Sequence, residues 1–192
     1  MYEQLKEEVL RANLALVEHE LVIFSWGNVS GIDRKDNVVA IKPSGVAYNE
    51  LTVDKIVLVD MDGRVVEGDL KPSSDTLTHL ELYRNFENIG GVCHTHSIFA
   101  TAWSQAQKPI PCYGTTHADY FYGDVPVTEA MTAEEIANDY EHNTGKVIVR
   151  AFRRIDYQQM PAVLVANHGP FTWGKDARSE EHTSELQSPN TI

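Results

Sequence analysis

His94-Thr95-His96 is the segment of this sequence with the clearest capacity for chemistry. On a strand, side chains two apart share a face, so His94 and His96 would bring two imidazoles to one spot while Cys93 and Thr95 face away. A third imidazole, His168, stands in Asn167-His168-Gly169-Pro170, just after the apolar run Ala162 to Ala166. There the chain must turn, and a turn residue can reach into a cleft. Asp75, in Ser73-Ser74-Asp75, offers a carboxylate at a helix start. Neutral imidazoles plus a carboxylate suit a borderline divalent ion, zinc first, with Mn2+ or Co2+ as substitutes; three protein ligands and an open position are the usual catalytic arrangement. The plainer alternatives are a hydrogen-bonded structural pair for His-x-His and a helix cap for Asp75. Residue types alone leave Asp75 open between direct ligand and orienting group.

Three polar turns could hold an anion: Gly27-Asn28, Ser44-Gly45 and Ser73-Ser74. Each joins small residues that expose backbone N–H groups, and Ser73-Ser74 sits where unpaired amides and the helix dipole favour negative charge. Lys42 could add a point charge. Singly, each is an ordinary turn, because Gly, Ser and Asn dominate turns; the neighbouring metal candidates give them weight. No Gly-x-Gly-x-x-Gly and no Gly-x-x-x-x-Gly-Lys-[Ser/Thr] occurs, which disfavours dinucleotide and nucleoside-triphosphate chemistry.

Elements of alternating type must position these groups. Leu5, Val9, Ala12 and Leu16 recur at helical spacing, predicting an amphipathic helix over residues 3 to 19 that covers a sheet. Short apolar runs at 21–24, 38–41, 56–60 and 65–66 read as strands, several of them antiparallel hairpin partners. Ser73-Ser74-Asp75 opens a helix; a strand at 90–95, a helix at 97–105, a loop at 114–123 and a strand at 125–127 follow. Thr132 and Glu135 form a capping box for a helix to about residue 140, with more helix at 145–154, and 162–166 is the last clear strand. Strands and helices interleaved by such short turns imply α/β architecture with a mixed, largely antiparallel sheet between helical layers.

The chain of 192 residues suits one domain, and no apolar run approaches the ~18 residues of a membrane helix. Its N-terminus lacks the basic and apolar segments of a signal peptide, so a cytoplasmic location is expected. A net charge of -12 without any Lys/Arg cluster repels nucleic acid and anionic lipid, leaving no nucleic-acid or membrane partner. Two cysteines, Cys93 and Cys112, are too few for a disulfide framework.

Six stretches carry a resemblance: Trp26-Gly27-Asn28-Val29-Ser30, Ile41-Lys42-Pro43-Ser44-Gly45-Val46, Lys71-Pro72-Ser73-Ser74-Asp75-Thr76, His94-Thr95-His96-Ser97, Gly114-Thr115-Thr116-His117-Ala118-Asp119-Tyr120 and Asn167-His168-Gly169-Pro170-Phe171. In order, and as far as about Ala177, the chain resembles the L-ribulose-5-phosphate 4-epimerase family of the class II aldolase and adducin-head superfamily. That resemblance implies a three-layer α/β/α fold, zinc on His94, His96 and His168, and Asp75 at a fourth metal position. It implies substrate and phosphate contacts at the three turns, Asp119 as catalytic proton donor or acceptor, a phosphorylated pentulose substrate and a homotetramer. Asp119 is also the residue separating the epimerase from fuculose- and rhamnulose-phosphate aldolases; His117 and Tyr120 read as structural. The implied reaction interconverts L-ribulose 5-phosphate and D-xylulose 5-phosphate in pentose catabolism. C4 is not next to the C2 carbonyl, so its proton resists simple removal, and no nicotinamide site offers oxidation. A retro-aldol cut between C3 and C4, rotation of the aldehyde and rejoining remain, with a Lewis acid absorbing the charge.

Family members continue beyond Lys175-Asp176-Ala177 into a helix and a C-terminal tyrosine that serves as opposing acid. Here residues 1–178 are expected to form a C-terminally truncated domain, followed at 179–192 by a disordered, non-family tail whose His182 is no ligand, and full epimerase activity is expected to suffer. The alternatives are an aldolase or dehydratase on the same scaffold, and a non-catalytic adducin-head-like binding domain.

Overall fold

The computed structural model describes residues 2–177. The tail expected over 179–192 lies outside them. Helix α1 (Glu3–Glu18) leads into β1 (Asn28–Asp33), β2 (Val38–Ile41), β3 (Val57–Asp60) and β4 (Val65–Glu67). Then come α2 (Thr76–Asn85), β5 (Gly91–His94), α3 (Ile98–Gln105), α4 (Thr115–Ala118), α5 (Ala133–Ala137), α6 (Tyr140–Ala151), β6 (Ala162–Leu164) and β7 (Pro170–Gly174). The strands form one sheet of seven in the order β4-β3-β2-β1-β5-β7-β6. Every ladder is antiparallel, and the parallel component is an isolated bridge between Val127 and Leu164.

Period-two alternation divides the core between the two faces of this sheet. Val38 and Ala40 of β2 and Leu58 of β3 pack with Val9, Ala12 and Leu16 of α1. Val39, Val57 and Val59 point the other way, into a larger cluster with Leu80 and Tyr83 of α2 and Val147 and Ile148 of α6. Burying each such Val or Leu contributes about 1.5–3 kcal/mol, so the three-layer arrangement follows from the pattern. Beneath β7, Phe86 stacks on Tyr157 at 4.4 Å and meets Trp173 at 5.0 Å, fixing the strand that carries Phe171. Arg34 donates to the carbonyls of Tyr83, Phe86 and Ile89, satisfying acceptors left open where α2 ends.

Several elements differ from the sequence reading. Residues 21–24 form no strand: Glu20 and Phe24 both have φ of 57°, and Phe24 is exposed. The strand in this part of the chain is β1 instead. Residues 125–127 make only isolated bridges, and α4 occupies part of the predicted 114–123 loop. The Thr132–Glu135 capping box is present, but its helix stops at Ala137 and α6 restarts at Tyr140. Asp139, with φ of 52°, is the break. The last strand is β7, beyond β6.

Candidate metal and substrate site

Antiparallel pairing aligns Asn28 with His94, and His94 with Phe171. The start of β1, the ends of β2 and β5 and the start of β7 therefore meet at one end of the sheet. Lys42 follows β2 there, His96 follows β5, and His168 stands in the turn before β7. Asp75 precedes α2, with its side chain turned into the same space. The chain passes Gly27 at φ of 80°, where a Cβ would lie 2.7 Å from Val22 Cγ1 and 2.9 Å from the His94 carbonyl, so only glycine fits.

His94, His96 and His168 each present a ring nitrogen within 4.8 Å of the others. His94 Nδ1 lies 2.9 Å from the Pro170 carbonyl and can only donate to it, which leaves Nε2 as a lone pair directed at His96 Nε2, 3.0 Å away. The His94 ring stacks on Phe171 at 4.1 Å, which holds its plane. Burial, with the neighbouring imidazoles adding to it and Asp75 opposing, pushes His96 down to about 4 and His168 to about 3. Both are neutral bases at physiological pH, the form a cation requires.

Asp75 is not a side-chain cap, since it makes no capping hydrogen bond to α2. Asn28 donates to its Oδ2 at 2.6 Å and to Ser73 Oγ at 3.1 Å. Burial pushes this carboxyl up, but the His94 and His79 imidazoles and the Asn28 amide together hold it below the usual carboxylate range. A carboxylate beside three imidazoles supplies the charge and nitrogen donors that a divalent cation takes, so the residues present fit such an ion.

The surrounding cavity, about 510 Å3, is lined by all three histidines, Asp75, Gly27, Asn28, Lys42, Ser44, Gly45, Ser73 and Ser74. Asn28 Oδ1 is buried without a hydrogen-bond partner among the described residues, an acceptor waiting for a ligand hydroxyl. Lys42 is buried, 4.8 Å from the centre of the Tyr48 ring, and its ammonium donates to the Ser25 and Pro43 carbonyls at 3.3 and 3.4 Å. Burial lowers its pKa, partly offset by Asp75. The structure thus gathers every expected metal and substrate residue, whereas Asp119, the expected catalytic residue, is exposed directly after α4 and does not line the cavity. His117 bonds the Gly123 carbonyl at 2.7 Å, in keeping with a structural reading. The sequence reading missed five wall residues as site residues, Ser25, Trp26, Pro43, Tyr140 and Glu141. An Asp directly before an apolar periodic run, here Asp139, was the available sign that a helix began there.

The family model for the class II aldolase and adducin N-terminal domain matches residues 7–185. Over 182 residues the chain is 54% identical to L-ribulose-5-phosphate 4-epimerase UlaF of Salmonella paratyphi C and, equally, of Salmonella typhi, covering 95% of this chain and 80% of each relative. Among solved structures, an L-fuculose 1-phosphate aldolase is 28% identical with a TM-score of 0.75, covering 95% of this chain and 84% of that one. YgbL of Klebsiella pneumoniae, a putative aldolase/epimerase/decarboxylase, is 28% identical with a TM-score of 0.72, over 97% and 89% of the two chains.

Proposed function

The chain belongs to the class II aldolase and adducin N-terminal domain family, and from that premise we propose that it interconverts L-ribulose 5-phosphate and D-xylulose 5-phosphate by inverting C4. The observation that carries this reading is the convergence of His94, His96 and His168, within 4.8 Å, on a cavity also lined by the polar turns Gly27-Asn28, Ser44-Gly45 and Ser73-Ser74. A non-catalytic binding domain has no use for that convergence.

His94, His96 and His168, with Asp75 beside them, would hold the divalent ion, and the nitrogen-rich donor set favours zinc. When bound, the ion supplies Lewis-acid stabilisation of the negative charge released as the C3–C4 bond opens. The protein's own groups do the rest. Pro170 and Phe171 fix the His94 ring, and Asn28 holds the Asp75 carboxylate while offering Oδ1 to a sugar hydroxyl. The turns at Gly27-Asn28, Ser44-Gly45 and Ser73-Ser74 receive the phosphorylated end through the Gly45 and Ser74 amides and the serine hydroxyls, the Ser44 and Ser73 amides being bonded to the Lys71 and Lys42 carbonyls, with the Lys42 ammonium adding charge. Asp119 exchanges the proton of the C4 oxygen on one face of the aldehyde, and an acid on the opposite face is required for inversion. The functional unit is one domain, residues 1–178, acting in the cytoplasm as a homo-oligomer, a tetramer by family resemblance.

A cleavage-only aldolase is the second reading, and the exposed position of Asp119 outside the cavity favours it. Carbon-13 NMR of zinc-loaded protein with L-ribulose 5-phosphate separates the two. Growth of D-xylulose 5-phosphate signals supports epimerisation. Accumulation of glycolaldehyde phosphate without the epimer assigns cleavage alone, and no turnover of either kind overturns the proposal.

A further inference from the structure

A metal site needs more than ligands, because each imidazole must also be turned so that the correct nitrogen faces the ion. For His94 the Pro170 carbonyl does this. His168 has a different partner: the Tyr140 hydroxyl lies 3.3 Å from its Nδ1, and the two rings sit 5.9 Å apart at 41°. With Nδ1 engaged, Nε2 is the nitrogen left for a ligand, in a ring whose centre is 4.7 Å from that of His94 and 5.3 Å from that of His96.

The backbone is bent on both sides of this contact. Tyr140 follows Asp139 at φ of 52°, and His168 follows Asn167 at φ of 64°. Left-handed non-glycine residues are uncommon, and they persist where surrounding structure enforces them. Around Tyr140 that enforcement is visible. Asn143 donates to the Glu135 carbonyl at 3.0 Å, and Thr144 Oγ1 to the Tyr140 carbonyl at 2.9 Å. The Asn167 amide donates to the Ser104 carbonyl at 3.0 Å. Two strained corners from distant parts of the chain thus deliver one hydroxyl to one imidazole at the cavity wall.

We propose that Tyr140 is a positioning residue for the metal site, its hydroxyl accepting the Nδ1–H of His168 and so aiming Nε2 at the point shared with His94 and His96. This rests on the reading of the three histidines as a metal site and adds a residue to it. The phenol ring packs the cavity wall in any event, so the hydroxyl alone carries the claim, and Tyr140→Phe removes only that.

Zinc affinity of the metal-depleted chain and of Tyr140→Phe, measured by chelator competition, tests it. The hydroxyl's loss weakens binding 10- to 100-fold, the range for losing an outer partner of a metal-bound histidine. The melting temperature of the metal-free variant stays that of the parent, so the lost affinity reads as lost orientation of His168 and not as unfolding. Equal zinc affinity in parent and variant refutes the role of Tyr140 while leaving the metal site standing. A parent that binds no zinc defeats the metal-site reading and this inference together. A second measurement needs no variant: nitrogen-15 NMR of the zinc-loaded parent should show His168 with its proton on Nδ1, and a proton on Nε2 overturns the proposal.

Discussion

Lowering the pH should destabilise the metal-free protein through His79 by an amount the structure allows to be worked out. His79 is completely buried in α2, with Nδ1 2.7 Å from Ser30 Oγ and Nε2 without a hydrogen-bond partner among the described residues. Burial, assisted by His94 and opposed by Asp75, pushes its pKa down to about 3. In the unfolded chain the same group titrates near 6.5. Below about pH 6.5 the unfolded chain therefore binds a proton that the folded one refuses, and stability falls as pH falls, by roughly 1.4 kcal/mol per unit until the folded pKa is reached. Between pH 7 and pH 5 that is about 2 kcal/mol from this residue, against a typical total of about 5–15 kcal/mol. His96 and His168 act in the same direction, so a single-residue control is needed. His79→Gln keeps a polar group beside Ser30 and removes the titration. Urea unfolding with a chelator present should show the variant less stable than the parent at pH 7, with the gap closing by about 2 kcal/mol at pH 5. A gap of the same size at both pH values would show that His79 is not held neutral by burial, and would refute the reasoning.

Asp119→Asn should slow epimerisation by about 10²- to 10⁴-fold, the usual worth of a general acid or base, with zinc content unchanged. Undiminished turnover removes Asp119 from the mechanism. Gly145→Ala should destabilise the fold even though alanine is the better helix former, because the new Cβ would lie 2.5 Å from Glu81 Cβ, where α6 crosses α2. A loss of about 1–3 kcal/mol is expected from such overpacking, read as a lower melting temperature; a higher one contradicts the close approach.

The parts of the site legible in the sequence were those whose residue types are costly to place without a purpose. His-x-His at a strand end and a third histidine at a turn are of that kind, and the structure brings them together. β2 and β3 were legible because they are short continuous apolar runs, buried on both faces. β1 was not, because Asn28-Val29-Ser30-Gly31-Ile32-Asp33 carries little apolar signal. Ser30 is buried in hydrogen bonds to His79 and Tyr83, so tertiary partners stabilise a polar strand that local pattern cannot announce. Conversely, Leu21-Val22-Ile23-Phe24 has the composition of a strand, yet Glu20 and Phe24 turn the chain. Tyr140 escaped notice because its partner is 28 residues away and the helix break before it is a single left-handed Asp139. Contacts of that kind are set by how α6 packs, which residue spacing does not encode.

The central claim is that three imidazoles share one divalent ion. X-ray absorption on protein loaded with a single equivalent of zinc tests it most directly, compared with His168→Ala prepared in the same way. The account predicts one ion per chain with three nitrogen neighbours at about 2.0–2.1 Å, and fewer nitrogen neighbours in the variant. An ion with no imidazole scattering, or the same nitrogen count with and without His168, would contradict it.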